Sequence, residues 1–215
     1  CKLHKLRTIH LFAGAGGGIL GDLLLGHHPV CAVEIDPYCQ QVLSARQKDG
    51  CLPWFPIFAD VAAFDGTPWR GRVDVVTGGF PCQSFSIAGK RKGFNDVRGT
   101  IFFEIARVLS DKRPRYFLLE NVRGLLSSDG GKTFSTILGI LSDLGYFVET
   151  VVLNSKDHGV PQNRERVFFV GHLAETGRSP RKILPFGFDG SEINGIQRPS
   201  SGGEKRIPFF AQDGS

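Results

Sequence analysis

The chain contains no methionine among its 215 residues, and only 2 tryptophans and 3 tyrosines. A chain with no initiator residue is expected to be a fragment of a longer protein or a trimmed domain. It also lacks long hydrophobic runs, since no apolar stretch approaches the ~20 residues of a membrane-spanning helix. The first residues contain no signal-peptide core. We therefore predict a cytoplasmic protein with no membrane partner.

Cysteine is sparse, with 5 residues in the whole chain. Cys31, Cys39 and Cys51 lack the paired spacing of a zinc site, so we predict no metal. An odd number of cysteines in a domain of this size also argues against a disulfide framework. We interpret these three residues as reduced structural thiols.

The overall composition is that of an ordinary globular domain, with 41% hydrophobic and 22% charged residues. The chain is long enough to bury one substantial core. Its net charge of +5 is compatible with a polyanionic partner such as nucleic acid. Because many basic proteins have no such partner, charge alone selects no function.

Segments that predict strands alternate with segments that predict helices. The predicted strands are 8–12, 30–34, 57–60, 73–77, 115–119, 147–153 and 167–170; the predicted helices are 19–25, one that begins at Asp36-Pro37, 99–110 and 132–144. The alternation predicts an α/β fold with a doubly wound, mostly parallel sheet that ends in an antiparallel pair. Beyond Gly171 the sequence turns to Gly, Pro, Ser and charge, so we divide the chain into a domain at 1–171 and a loop-rich tail at 172–215.

A glycine-rich loop follows the first predicted strand. Residues 16–21 satisfy the GxGxxG pattern, and Glu34 ends the second strand, as in dinucleotide-binding folds. On these residues alone, a nicotinamide cofactor and other nucleotide-like cofactors are equally compatible. Glycines let a backbone approach its ligand, and an acid at that position grips ribose hydroxyls.

The segment Gly-Phe-Pro-Cys-Gln-Ser-Phe-Ser at 79–86 presents Cys82 just beyond the fourth predicted strand. A thiol placed after a glycine turn and a proline is typical of a nucleophile. Polar clusters flank two other strands: Glu-Asn-Val at 120–122 and Gln-Asn-Arg-Glu-Arg at 162–166. Because ligands sit beyond the carboxyl ends of parallel strands, one cleft should collect the glycine loop, Glu34, Asp60, Cys82 and Glu120.

In this order, the blocks resemble those of the DNA (cytosine-5)-methyltransferases over roughly residues 6–171. The stretches Leu-Phe-Ala-Gly-Ala-Gly-Gly-Gly at 11–18 and Arg-Gly-Thr-Ile-Phe-Phe-Glu at 98–104 match two more blocks of that family. The resemblance implies a Rossmann-like, S-adenosylmethionine-dependent methyltransferase sheet with one antiparallel strand near its C-terminal end. It also implies double-stranded DNA as substrate, in a bacterial or phage-infected cell.

For the cofactor, the resemblance assigns Glu34 to the ribose, Asp60 to the adenine amino group and Phe12 to stacking. The other expected cofactor contacts are Gly14, Gly16, Gly17 and Pro81. Phe12 as simple core and Asp60 as a turn cap remain open alternatives. His10 stands where the family often has an acid near the cofactor, and we expect a buried structural histidine there.

For the chemistry, the resemblance makes Cys82 the nucleophile that adds to cytosine C6. Glu120 would bond the ring at N3, and Arg164 and Arg166 would hold the base and its backbone. The alternative for these three is an ion-pair network with one another or with Glu165. The expected DNA contacts are Gln83, Ser84, Ser86, Lys90 and Arg91. Lys90 and Arg91 belong to a basic loop, which could instead be a solvated charge run.

Residues 172–215 contain none of the family's later blocks and no target-recognition region. We expect either a fragment or one subunit of a split enzyme whose partner chain supplies the rest. The leading hypothesis is a DNA cytosine-5 methyltransferase of the restriction–modification or orphan type. The alternatives are an RNA (tRNA) cytosine-5 methyltransferase, a part that is inactive without its missing C-terminal portion, a non-catalytic nucleic-acid-binding subunit and, least supported, a nicotinamide oxidoreductase.

Overall fold

A computed structural model of the chain describes residues 5–81, 101–174 and 182–184. The strands are β1 (Arg7–Leu11), β2 (His28–Val33), β3 (Ile57–Phe58), β4 (Val75–Gly79), β5 (Tyr116–Val122), β6 (Tyr146–Asn154) and β7 (Glu165–Leu173). The helices are α1 (Gly17–Leu24), α2 (Pro37–Lys48), α3 (Ile101–Lys112) and α4 (Lys132–Asp143). Each predicted strand and helix therefore has a counterpart, with ends that shift by a few residues.

The strands form one 7-stranded sheet in the order β3-β2-β1-β4-β5-β7-β6. All neighbours from β3 to β5 pair in parallel, whereas β7 runs antiparallel to both β5 and β6. The predicted doubly wound sheet with one antiparallel strand is confirmed. The strand order reverses between β1 and β4, which is where such sheets open a crevice for ligands.

Apolar helix faces cover the sheet on both sides. Successive residues of β2 point to opposite faces: Cys31 and Val33 join the larger core cluster, and Ala32 joins the smaller one. The larger cluster includes the buried positions of α3 and α4, such as Phe102 and Ile137. Burial raises the pKa of the Cys31 thiol to about 12, which fits a structural thiol.

Two local predictions have different outcomes. The start of α2 is confirmed: Asp36 is its N-cap and accepts the Tyr38 backbone N–H at 2.7 Å, with proline at the first helical position. The third strand is shorter than the predicted 57–60, because pairing with β2 ends at Phe58. Asp60 instead accepts the Ala62 backbone N–H at 2.9 Å, which turns the chain away from the sheet.

Within the described ranges, the longest helices have 12 residues, and none is long and apolar enough to cross a membrane.

Candidate active site

The loop between β1 and α1 is built from left-handed backbone conformations. Phe12, Gly14 and Gly16 have φ values of 54°, 55° and 95°. A Cβ on Gly16 would lie 2.9 Å from Leu43 Cδ2, so this position needs glycine for space as well as for conformation. A Cβ on Gly14 or on Gly17 would meet nothing within 4 Å, so this side of the loop is open.

Glu34 follows β2 and lies against the same loop. Its Oε2 accepts the Gly14 backbone N–H at 2.6 Å, and its Oε1 accepts the Asp36 backbone N–H at 2.8 Å. Its carbonyl oxygen accepts from Gln40 Nε2 at 2.6 Å. These bonds compensate for the burial of the carboxylate and leave each oxygen with further acceptor capacity. The predicted meeting of the glycine loop with Glu34 is what the structure shows.

Asp60 and Ile35 extend the edge that Glu34 begins. The Asp60 side chain is exposed and caps a turn through one oxygen, so the turn-cap alternative is correct for that oxygen. Ile35 is 71% exposed, although it is aliphatic. The sequence analysis did not select Ile35, yet an apolar residue between the acids Glu34 and Asp36 at a strand end is a usable signal.

His10 is buried behind the glycine loop, which confirms the expectation. Its Nδ1 lies 2.8 Å from Thr77 Oγ1, and its Nε2 lies 2.9 Å from Asp22 Oδ2. Burial alone would raise the pKa of Asp22, but hydrogen bonds with His10 and Thr8 and the neighbouring imidazoles bring it below the ordinary value. His10 thus ties β1 to β4 and to α1.

Glu120 forms an ion pair across the antiparallel strands β5 and β7. Its Oε1 lies 2.6 Å from Arg166 Nε and 4.0 Å from Arg164 Nη2. The register places Val122 opposite Arg166, which makes Glu120 and Arg166 diagonal neighbours on one face. The Arg166 side chain is 20% exposed and that of Arg164 is 50% exposed, so Arg166 is the tighter partner.

The same carboxylate lies against the end of β4. A Cβ on Gly79 would be 2.8 Å from Glu120 Oε2, so glycine at this position lets the acid keep its place. Phe80 donates its backbone N–H to the Glu120 carbonyl at 3.2 Å, and Pro81 follows as an exposed residue. The predicted nucleophile and DNA contacts lie outside the described residues: Cys82, Gln83, Ser84, Ser86, Lys90 and Arg91.

Asn121, which the sequence analysis did not select, fixes the backbone before Pro81. Its Nδ2 donates to the Phe80 carbonyl at 3.1 Å, and its Oδ1 accepts the Val122 backbone N–H at 2.8 Å. Asn121 is fully buried. The available signal is positional, because alternation along β5 places this amide on the same face as the core residues Phe117 and Leu119.

Asn154 likewise fixes the backbone of the segment that carries Arg164 and Arg166. Its Oδ1 accepts the backbone N–H groups of Arg164 at 3.1 Å and Lys156 at 3.2 Å, while its Nδ2 donates to Asn163 Oδ1 at 2.7 Å. The turn that brings Arg164 and Arg166 to Glu120 is therefore held at both ends of the β6–β7 connection. This residue also escaped sequence reasoning, because it ends an apolar strand and belongs to no motif.

Comparison with known proteins connects these residues to one family. The family model described as C-5 cytosine-specific DNA methylase matches residues 6–198, which passes the boundary predicted at 171. The Type II methyltransferase M.Eco47II of Escherichia coli is 47% identical over 164 residues, covering 76% of this chain and 38% of that protein. The Type II methyltransferase M.HpaII of Haemophilus parainfluenzae is 44% identical over 176 residues, covering 80% and 48%.

The fold has solved counterparts as well. The crystal structure of a DNMT2 protein of Spodoptera frugiperda superimposes with a TM-score of 0.64 at 22% identity, covering 86% of this chain and 56% of that one. At this identity the likeness supports the fold alone. The chain spans about half or less of the length of the curated relatives, from 38% to 50%.

Proposed function

Because the chain belongs to the C-5 cytosine-specific DNA methylase family, we propose that it transfers a methyl group from S-adenosylmethionine to C5 of cytosine in double-stranded DNA. The observation that carries this proposal is the Glu120–Arg166 pair at 2.6 Å. That pair lies against Gly79, the last residue of β4, which shortly precedes Cys82 in the chain. A nucleophile, an acid and a guanidinium group are thus assigned to adjacent strand ends, where cytosine chemistry needs them.

The residues around the glycine loop fit S-adenosylmethionine. The buried Glu34 has acceptor capacity for two ribose hydroxyls, and the open side of Gly14 and Gly17 leaves room for close approach. Asp60 would accept from the adenine amino group, with the exposed Ile35 against the adenine face. When bound, the cofactor supplies an electrophilic sulfonium methyl group. Phe12 and Pro81 complete the proposed contact set.

Cytosine C5 is a poor nucleophile until the 5,6 double bond is attacked. We assign that attack to the Cys82 thiolate: a bond forms between Sγ and C6, and the electron pair moves through C5 toward N3 and the carbonyl oxygen. In its protonated form the Glu120 carboxyl group would donate a hydrogen bond to N3, and Arg166 would hold that side chain in place while donating toward the base. C5 then has enamine character, and its attack on the sulfonium methyl would form the C5–CH3 bond as the methyl–sulfur bond breaks and S-adenosylhomocysteine leaves.

The adduct resolves by elimination. We assign water as the base that removes the C5 proton. The electrons of the C5–H bond then restore the 5,6 double bond and expel the Cys82 thiolate. Because C6 is inaccessible in a stacked duplex, the cytosine must leave the helix, at a cost of about a few kcal/mol. Gln83, Ser84, Ser86, Lys90 and Arg91 are the residues proposed to contact the DNA around it.

Base-specific contacts are assigned to a part of the protein beyond the matched residues or to a second chain, since the relatives are longer. As the relatives include bacterial Type II methyltransferases, we place the reaction in the cytoplasm of a bacterial or phage-infected cell.

The proposal is tested by transfer of labelled methyl to unmethylated DNA. The proteins are the unmodified chain, Cys82→Ser and the matched control Cys39→Ser, and transfer RNA serves as a second substrate. We expect label on DNA with the unmodified chain and Cys39→Ser, and none with Cys82→Ser. If the chain alone is inactive, the assay is repeated with the C-terminal portion of M.HpaII added as a separate polypeptide.

Label on RNA but not on DNA would assign the chain to the RNA-directed alternative. Label on DNA that persists in Cys82→Ser would contradict the covalent mechanism. A direct test of the adduct uses DNA with 5-fluorocytosine at the target. A base cannot remove fluorine from C5 as it removes a proton, so the elimination that releases Cys82 is blocked. We expect a covalent protein–DNA species that Cys82→Ser does not form.

A further inference from the structure

Arg107 on α3 is held in one orientation by carboxylates of its own helix. Its Nε donates to Glu104 Oε2 at 2.8 Å, and its Nη1 donates to Asp111 Oδ2 at 3.3 Å. These partners stand three positions before it and four after it, where helical neighbours meet. The guanidinium group is thereby paired with two carboxylates, and its plane is fixed.

The remaining Arg107 donors reach a different segment of the chain. Nη2 donates to the Val61 carbonyl at 2.7 Å, and Nη1 donates to the Phe64 carbonyl at 3.1 Å. These carbonyls bracket the turn that follows β3, in which Phe64 donates its N–H to the Val61 carbonyl at 3.3 Å. A guanidinium group spans two such acceptors with a rigid fork, which a lysine ammonium cannot reproduce.

Asp60 comes directly before this turn, which spans residues 61–64. Asp60 Oδ1 accepts the Ala62 backbone N–H at 2.9 Å, so the direction of the carboxylate depends on the backbone that Arg107 holds. Val61 and Phe64 are buried in the larger core cluster, while Asp60 itself is exposed. Burial of Val61 and Phe64 fixes how the turn packs against the core, and the Arg107 hydrogen bonds fix its orientation.

We propose that Arg107 is a positioning residue for cofactor binding, which acts by holding residues 61–64 so that Asp60 faces the adenine amino group. This inference rests on the proposed function, since it requires S-adenosylmethionine in the cleft. Arg107 acts through Asp60 and contacts neither the cofactor nor the DNA.

The test compares Arg107→Gln and Arg107→Lys with the matched control Arg46→Gln. Arg46, on α2, also pairs with a nearby carboxylate, that of the C-cap residue Asp49, at 2.9 Å, and it makes no described contact with residues 61–64. Two quantities are measured without DNA: the exchange of the Ala62 and Phe64 amide hydrogens, and the dissociation constant for S-adenosylmethionine. The Michaelis constants for the cofactor and for DNA are added wherever methyl transfer is detected.

We expect Arg107→Gln to speed exchange at both amides and to weaken cofactor binding about tenfold, because small misplacements of a contact are costly. Arg107→Lys should recover part of the affinity, and Arg46→Gln should change neither quantity. The Michaelis constant for the cofactor should rise while that for DNA stays the same.

Each other outcome overturns the inference in a distinguishable way. Faster exchange with unchanged cofactor affinity would leave Arg107 a purely structural residue. Unchanged exchange and affinity would show that the turn does not depend on Arg107. If the unmodified chain binds no S-adenosylmethionine, the proposed function fails together with the inference; if it binds and Arg107→Gln binds equally well, only the inference fails.

Discussion

Two carboxylates at one edge of the sheet are held in opposite ways. Glu34, beside the glycine loop, is 8% exposed and is bound by backbone N–H groups of Gly14 and Asp36. Glu120, beside the end of β4, has a side chain that is 28% exposed and is bound by the Arg166 side chain from another strand. We refer to the surroundings of Glu34 as the cofactor region and to those of Glu120 as the chemistry region.

The difference separates a fixed site from an adjustable one. The backbone donors Gly14 and Asp36 cannot move without deforming the segments that follow β1 and β2, so the cofactor region is preorganised whichever side chains surround it. A partner on a long side chain can follow a carboxylate that approaches a substrate, so the chemistry region can adapt to an incoming base. Substitutions in the cofactor region should therefore lower cofactor affinity, whereas substitutions in the chemistry region should lower the rate of methyl transfer.

Among changes to residues around the two carboxylates, the largest effect is expected from Arg166→Gln. Loss of the guanidinium leaves Glu120 without its 2.6 Å partner and removes a donor toward the base, so the maximal rate of methyl transfer should fall about 10²–10³-fold. Cofactor affinity should stay within about twofold. The control is Arg123→Gln, which breaks the exposed Arg123–Glu165 pair and should alter the rate little. Equal losses in both variants would remove Arg166 from the chemistry region.

Lys112 tests whether stability can be changed without touching Glu34 or Glu120. Its Nζ is buried 5.3 Å from the Phe64 ring centroid, and burial lowers the pKa of the amine from 10.5 to about 8. The folded chain therefore binds fewer protons than the unfolded chain between these pH values. The buried charge costs stability below pH 8, and this cost disappears as the pH rises through that window.

Lys112→Met should consequently raise the free energy of unfolding at pH 7 by about 3 kcal/mol, with the advantage shrinking toward pH 10.5. Urea unfolding at both ends of the window measures it, and the exposed Lys48→Met serves as control. A destabilised Lys112→Met at pH 7 would mean that the contact with Phe64 outweighs the cost of burial.

Gly79→Ala probes the chemistry region from the β4 side. The added Cβ would lie 2.8 Å from Glu120 Oε2, the end of a flexible side chain, so the carboxylate should move rather than the backbone. We expect the rate to fall about tenfold, with little change in the free energy of unfolding. At Gly124 a Cβ meets nothing within 4 Å, so Gly124→Ala is the control. A normal rate in Gly79→Ala would show that the Glu120 position is not critical.

Gly16→Ala is the smallest of these effects and belongs to the cofactor region. A φ of 95° and a Leu43 contact at 2.9 Å oppose any side chain there, so the loop should shift and cofactor affinity fall about fivefold. The rate at saturating cofactor should persist. Gly21→Ala, on α1 with nothing within 4 Å of its Cβ and no assigned cofactor contact, should bind normally. Equal binding by the two variants would argue against a fixed glycine loop.

Sequence reasoning found the cofactor region more completely than the chemistry region. The positions of Glu34 and the glycine loop follow from strand ends and short-range pattern: one carboxylate bond is made to the nearby Asp36 backbone, and the other to the loop that follows the adjacent strand β1. The choice of Arg166 over Arg164 depends on the register of β5 with β7, which no local pattern specifies. Asn121 and Arg107 were missed for the same reason, because their partners lie on segments remote in the chain.

The contrast between the two regions is tested most directly by Glu34→Gln and Glu120→Gln, each measured for its dissociation constant with S-adenosylmethionine and for its single-turnover rate of methyl transfer at saturating cofactor. We predict a crossed result: Glu34→Gln weakens binding about tenfold or more and keeps the rate, whereas Glu120→Gln keeps binding and loses about 10²–10⁴-fold in rate. Loss of both quantities in both variants would contradict two separately organised regions.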